Sequence, residues 1–236
     1  MAKKDSEKME MKPLTEDEYK KPIDKSEIEG RWTTPLIFAV VVCAFGGSFQ
    51  FGYNIGVINA PGKVIQGWIN QSHYDMFENY PSEGTVTLIW SAIVSIFAAG
   101  GMVGGLLSGI VADRFGRKGG MLLNNIFAFL AAALMGFSKV SNTYPLLLVG
   151  RFVIGFNAGL CSGLVPMYLT EISPINLRGT LGSMHQLVVT ISILVSQALG
   201  LPMILGNEAW WPLLLALTAL PAVFQVIALP FCPETP

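Results

Sequence analysis

Residues 86–137 read VTLIWSAIVSIFAAGGMVGGLLSGIVADRFGRKGGMLLNNIFAFLAAALMGF. One apolar run extends from Val86 to Ala112, stops at Asp113-Arg114-Phe115-Gly116-Arg117-Lys118, and a second runs from Gly120 to Phe137. A hydrocarbon core about 30 Å thick takes about 20 residues of helix to cross, and the backbone polar groups inside it must be paired within the segment. The two runs therefore predict two membrane-spanning helices joined by a charged reversal that stays in water. Glycines around the charges permit a tight turn. Asp113, placed where the first run ends, can hold the neighbouring cations.

Four further runs of spanning length, at 36–59, 144–169, 180–201 and 211–231, bring the expected number to six. Composition agrees: 52% of the residues are hydrophobic and 13% charged, where a soluble domain carries about 25% charged residues. More than half of the Lys and Arg, and of the Asp and Glu, precede Pro35. That segment mixes both signs and lacks an apolar face, so residues 1–35 read as a disordered cytoplasmic tail and 36–236 as a six-helix bundle. The first apolar run is long enough to remain as an anchor and has no look of a cleaved leader. A net charge of −1 without a basic patch gives no reason to expect nucleic acid as a partner. Cys43, Cys161 and Cys232 are isolated in apolar runs, which favours packing over a disulfide or metal site.

With the tail inside, Arg114, Arg117, Lys118 and Arg178 also fall inside, against Lys63 and Lys139 outside. Lys/Arg-rich segments are the cytoplasmic ones. Trp210 and Trp211 are then expected at the outer interface. Asn70-Gln71-Ser72, a glycan acceptor triplet, falls in the long outer loop after the first span.

Small residues at four-residue spacing let helices approach closely in lipid, and three such ladders are present: Gly52/Gly56, Gly101/Gly105/Gly109 and Gly155/Gly159/Gly163. They suit either a static bundle or one whose surfaces slide. Polar residues inside spans need a partner or a wet cavity. Gln186, Thr190, Ile193 and Gln197 share one helical face, with His185, Ser192 and Ser196 beside it, and Gln50 and Asn54 lie one turn apart near Tyr53. Each group has the alternative of an interhelical hydrogen bond. Two such faces together favour a central cavity lined by uncharged donors and acceptors, which suits a sugar. No Asp or Glu lies inside a span away from its ends, which disfavours proton coupling. Arg151 is the clear intramembrane charge, roughly 10 Å in from the outer end at about 1.5 Å per residue, where it pairs within the bundle or snorkels.

Gly109-x-x-x-Asp113-Arg114-x-Gly116-Arg117-Lys118 resembles the signature loop of the major facilitator superfamily. Pro166-Met167-Tyr168-Leu169-Thr170-Glu171-Ile172-Ser173-Pro174, Leu177-Arg178-Gly179 and Pro230-Phe231-Cys232-Pro233-Glu234-Thr235-Pro236 resemble sugar porter motifs. Joined by Gln50-Phe51-Gly52-Tyr53-Asn54 and Gly150-Arg151-Phe152, they resemble the animal facilitative glucose transporters. The resemblance implies an all-α fold: the amino-terminal six helices of a major facilitator bundle, built as 3+3 inverted repeats. A carboxy-terminal six-helix partner would be missing. It also implies a plasma-membrane hexose uniporter working by alternating access, D-glucose being favoured, without cofactor and without enzymatic activity. Gln186 matches a sugar-contacting glutamine and Ile193 a neighbour lining the site; Asn54 stands where proton-coupled sugar porters carry Asp. Asp113, Arg114, Arg117, Glu171, Arg178 and Glu234 match an inner-face latch. A fructose or mixed-hexose carrier, and a six-span product that partners the full carrier, stay open as alternatives.

Overall fold

Proline at the first turn of a helix loses no hydrogen bond, and Pro35 opens helix α1, Thr34–Gly56, in this way. The structure, a computed structural model, describes residues 30–234. The tail expected over residues 1–35 falls outside those residues as far as position 29. Midway along α1, Ala44–Phe49 is wound as a π-helix. There Gly46 and Gly47 lie flush against Gln225 and Val165, leaving no room for a side chain.

The segment after α1, expected as a loop, is instead the amphipathic helix α2, Gly62–Phe77. Ile65, Ile69 and Ser72 recur on one face and are buried, and the helix ends at Glu78 in the left-handed conformation. The acceptor triplet therefore sits on a helix. Ser72 is buried and donates its hydroxyl to the Asn142 carbonyl at 2.7 Å.

Helix α3 runs over Glu83–Phe137, opened by Ser82, whose hydroxyl accepts from the Thr85 amide at 3.2 Å. At 55 residues it would be about 80 Å long if straight. It is not straight: Gly116 has φ 72° and ψ 165°, outside the helical region. That conformation favours glycine. Helix α4, Tyr144–Ile172, reports the consequence, because both arms of α3 pack along it in opposite senses. Gly155, Gly159 and Gly163 meet Phe97, Gly101 and Ser108 in ascending order, whereas Gly150, Asn157 and Leu164 meet Met135, Asn124 and Gly120 in descending order. The chain thus reverses at Gly116. Five continuous apolar helices give the six expected spans.

Helix α5 covers Arg178–Leu199 and α6 covers Trp211–Phe231, interrupted between Ala216 and Ala219. Gly52 and Gly56 of α1 nest against Val189, Ser192, Ile193 and Ser196 of α5 in ascending order. The first span thus pairs in parallel with the fifth, as the fourth does with the second. Exchanging the two triplets of spans maps one pair onto the other, as a 3+3 repeat requires.

One glycine ladder needs correction. The glycines of α3 that leave no room for a side chain against α4 are Gly100 and Gly104, with Ser108 one turn on; Gly101 and Gly105 meet Gly159 through backbone atoms, and a Cβ on Gly105 or Gly109 would meet nothing within 4 Å. Two buried apolar clusters hold the ends. Leu36, Val40, Met121, Leu164 and Leu229 pack at the end carrying the Gly116 bend, and Ile65, Ile93, Met135, Leu147 and Leu214 at the end carrying α2. Trp211, expected at an interface, is wholly buried in the second cluster, while its neighbour Trp210 is 53% exposed. All three cysteines are buried and free.

Candidate functional site

Between the two apolar clusters lies a belt of buried polar groups. Gln50 donates its amide to the Thr218 carbonyl at 3.1 Å. Asn54 donates to the Gln50 carbonyl at 2.8 Å and to the Thr218 hydroxyl at 2.7 Å. Tyr53 donates to the Leu214 carbonyl at 2.7 Å. Gln50 and Asn54 are both 0% exposed, so they turn toward α6 and do not join the open face that was expected to include them. Their amide nitrogens are paired, while the side-chain oxygens of both are buried without a partner among the described residues.

Arg151 completes this corner. It is 1% exposed, donates from a terminal nitrogen to the Asn54 carbonyl at 3.1 Å, and stacks over Phe97 with its guanidinium carbon 4.5 Å from the ring centre. Of the two expected outcomes, pairing within the bundle is the one found. Delocalised, weakly hydrated guanidinium suits such a site better than an ammonium would.

The face of α5 is set by its back. Ser192 and Ser196 return their hydroxyls to the carbonyls three residues before them, at 2.8 Å each, and so offer a smooth surface to Gly52 and Gly56. The Ser48 hydroxyl and His185 Nδ1 are 2.7 Å apart, which pins the helix next to Gln186. With α5 locked in rotation, Gln186, Thr190 and Gln197 are exposed and Ile193 is half-buried beside them. Thr190 donates to the Gln186 carbonyl at 3.0 Å; no described residue hydrogen-bonds the amides of Gln186 or Gln197. The expected stripe is thus brought together on one open helix face, with uncharged donors and acceptors free.

At the Gly116 end, Arg117 meets Glu171 at 2.9 Å through both Nε and a terminal nitrogen, and lies 3.9 Å from Asp113. Glu234 is joined not by an arginine but by Lys118, at 3.9 Å. Lys118 also donates to the carbonyls of Pro230 and Cys232 at 2.9 and 3.0 Å. Arg178 turns back to the Ser173 carbonyl at 3.2 Å, and Arg114 lies over Phe115. Neither meets a carboxylate within 4 Å among the described residues. Of the expected set, Arg117 thus pairs with Glu171 and approaches Asp113, Glu234 pairs with Lys118 from outside the set, and Arg114 and Arg178 stand in no such pair.

Several polar residues of the interior escape a reading of the sequence alone. Asn124 and Asn157 donate reciprocally to each other's backbone carbonyls at 3.0 and 2.9 Å, clamping α3 to α4. Asn125 donates to Gln225 at 2.9 Å, joining α3 to α6. All four are amides in apolar runs, the same signal that marks Gln186; Thr218, a hydroxyl, carries a weaker one.

Residues 39–236 match the sequence profile of the family described as "Sugar (and other) transporter". The chain belongs to the sugar transporter family. Among curated sugar transporters it is 53% identical over 208 residues to facilitated glucose transporter protein 1 of Caenorhabditis elegans, covering 88% of this chain and 41% of that one. It is 48% identical over 219 residues to solute carrier family 2, facilitated glucose transporter member 5 of Equus caballus, covering 93% and 43%. With member 3 of Mus musculus it shares 50% identity over 204 residues, covering 86% and 41%. The chain thus spans less than half the length of the curated relatives it matches. The xylose transporter XylE from E. coli, in a partially occluded inward-open conformation, superposes with a TM-score of 0.73 over 86% of this chain and 49% of its own, at 21% identity. The same symporter bound to 6-bromo-6-deoxy-D-glucose gives 0.74. At that identity the likeness establishes the fold: this chain is a multi-pass membrane protein with the architecture of one half of a major facilitator bundle.

Proposed function

We propose that this chain supplies one wall of a hexose uniporter, D-glucose being the favoured substrate, that works by alternating access against a second six-helix half. The observation that carries the reading is the open stripe of Gln186, Thr190 and Gln197 with Ile193, an uncharged surface of free donors and acceptors on α5. A sugar offers hydroxyls and no charge, so it matches that surface without burying an ion. Uniport is favoured over symport because no carboxylate lies within a described span away from its ends; Asn54, an amide, holds the position beside Arg151. Gln50 and Asn54 act behind the wall, fixing α1 against α6.

The Gly116 end is the cytoplasmic one in this reading, since Arg114, Arg117, Lys118 and Arg178 gather there. The amino terminus then lies inside and the plasma membrane is the expected destination. The Arg117–Glu171 pair is partly exposed and contributes about 1 kcal/mol or less. It is suited to setting a conformational balance and not to holding the fold. Arg114 and Arg178 are left to meet the second half. Glycan transfer to Asn70 belongs to the nascent chain, before α2 folds and Ser72 is sealed against Asn142.

The test is uptake of labelled D-glucose by the full-length carrier in proteoliposomes, with fructose and galactose competing and with or without an imposed proton gradient. Saturable, equilibrating uptake indifferent to the gradient is expected; accumulation driven by the gradient would overturn uniport. In the same assay Gln186→Ala removes one neutral hydrogen bond, about 1 kcal/mol, and should weaken half-saturation ~5-fold with surface delivery unchanged. Unaltered glucose kinetics would remove Gln186 from the site.

A further inference from the structure

A cavity of about 450 Å³ opens at the α2 end, on walls that do not include the α5 stripe. Its lining includes Lys63, Trp68 and Gln71 of α2, Lys139 just after α3, and Glu208 and Trp211 at the entry to α6. Directly alongside runs an apolar groove of about 480 Å³ between the second arm of α3 and α6, lined by Phe129, Ala133, Gly136, Leu213, Ala216 and Ala219 among others. The two are continuous along the chain at both walls. Phe137 and Val140 of the groove flank Lys139 of the cavity, and Pro212 and Leu213 of the groove follow Trp211 of the cavity.

Two lysines line the cavity wall, with an aromatic pair behind them. Trp211 is fully buried, and its indole N–H has no partner; the indole N–H of Trp68 is likewise buried and unpaired. The two rings stand 5.0 Å apart. The Lys139 ammonium is held at the cavity by the Glu208 main-chain carbonyl, with further hydrogens to give. An occupant must therefore bring several acceptor oxygens. Glu208 adds a negative charge to the same lining, which attracts a cation. The groove adds a demand for an apolar chain.

We propose that this cavity and groove together form a binding site for one zwitterionic phospholipid of the α2-side leaflet. Its phosphate meets Lys63 and Lys139, its ammonium meets Glu208, and one acyl chain lies along Ala133, Gly136 and Ala216. At the floor of the groove a Cβ on Gly136 would stand 3.2 Å from that of Ala216, so the two helices touch there and a chain rides over the contact. The lipid would brace α2 and α6 against the end of α3, outside the sugar path.

The experiment is native mass spectrometry of the purified full-length carrier, delipidated and titrated with dioleoylphosphatidylcholine. Two independent variants are used: the surface double change Lys63→Glu with Lys139→Glu, and Ala133→Trp, which fills the groove from an exposed position. Each should lower retention of one lipid per carrier about tenfold, while melting in detergent without lipid stays that of the parent. Phosphocholine in excess should not displace the lipid, and dioleoylphosphatidylglycerol should be retained less well. Retention unchanged in both variants would overturn the site. So would displacement by phosphocholine as effective as by the whole lipid, which would assign a soluble ligand, or equal retention of phosphatidylglycerol, which would leave Glu208 without a role.

Discussion

Replacing Gly104 by leucine should abolish the folded bundle, while the same replacement at Gly105, the next residue, should leave it standing. A Cβ on Gly104 would run into the Phe156 carbonyl and stand 3.0 Å from the Leu160 amide nitrogen. Both are backbone atoms of α4, so no side chain can swing aside. The helices would have to part along their length. Overpacking in a closed core costs about 1–3 kcal/mol even where side chains can adjust, and in lipid no hydrophobic force draws separated helices back together. A Cβ on Gly105 meets nothing within 4 Å. Size-exclusion profiles and thermal melting of the two variants in the full-length carrier decide this. A monodisperse Gly104→Leu protein with the parent's melting temperature would show that the α3–α4 contact is looser than the structure has it. Gly105→Leu should fold and yet lose transport, if the open glycine face of α3 is where the second half approaches.

The same pair of glycines shows how far the sequence can be read. Two of the six spans and the charged reversal between them are written in residues 86–137, because span length and the placing of charge are local properties. The ladder register is not. In Gly100-Gly101-Met102-Val103-Gly104-Gly105 two four-residue ladders overlap, and only the partner helix selects one of them. Amides pose the same difficulty. Gln50, Asn54, Asn125, Gln186 and Gln225 are chemically alike in apolar surroundings, but four are buried with interhelical partners and Gln186 alone is open. Whether an amide lines a cavity depends on what faces it, and that is a tertiary fact. Helix α2 was legible in part: Ile65, Ile69 and Ser72 keep helical spacing, although the acceptor triplet and the absence of spanning length point to a loop. The motifs name a set of inner-face charges but not their partners: Arg117 meets Glu171, while Lys118, outside that set, reaches Glu234 because the Gly116 bend sets it beside the end of α6.

The largest effect concerns the chain by itself. Reconstituted alone in liposomes, residues 1–236 should give no measurable preference for D-glucose over L-glucose. Stereospecific recognition needs hydroxyls fixed in space by donors and acceptors on more than one side. Here the stripe of Gln186, Thr190 and Gln197 stands on a single helix face that opens outward, and Gln50 and Asn54 are buried away from it with their amide nitrogens on Thr218. One wall with three polar residues holds a sugar no more firmly than water does. Alternating access fails for the same reason: the Arg117–Glu171 pair lies wholly within this half, so breaking it opens nothing unless a second body moves against α3 and α5. The measurement is tracer influx of both enantiomers at equal protein and lipid, with the full-length carrier alongside as the positive control. Saturable, D-selective influx from the six-helix chain would refute the single-wall account, and cross-linking would then show whether two copies had closed the cavity with their α5 faces turned toward each other.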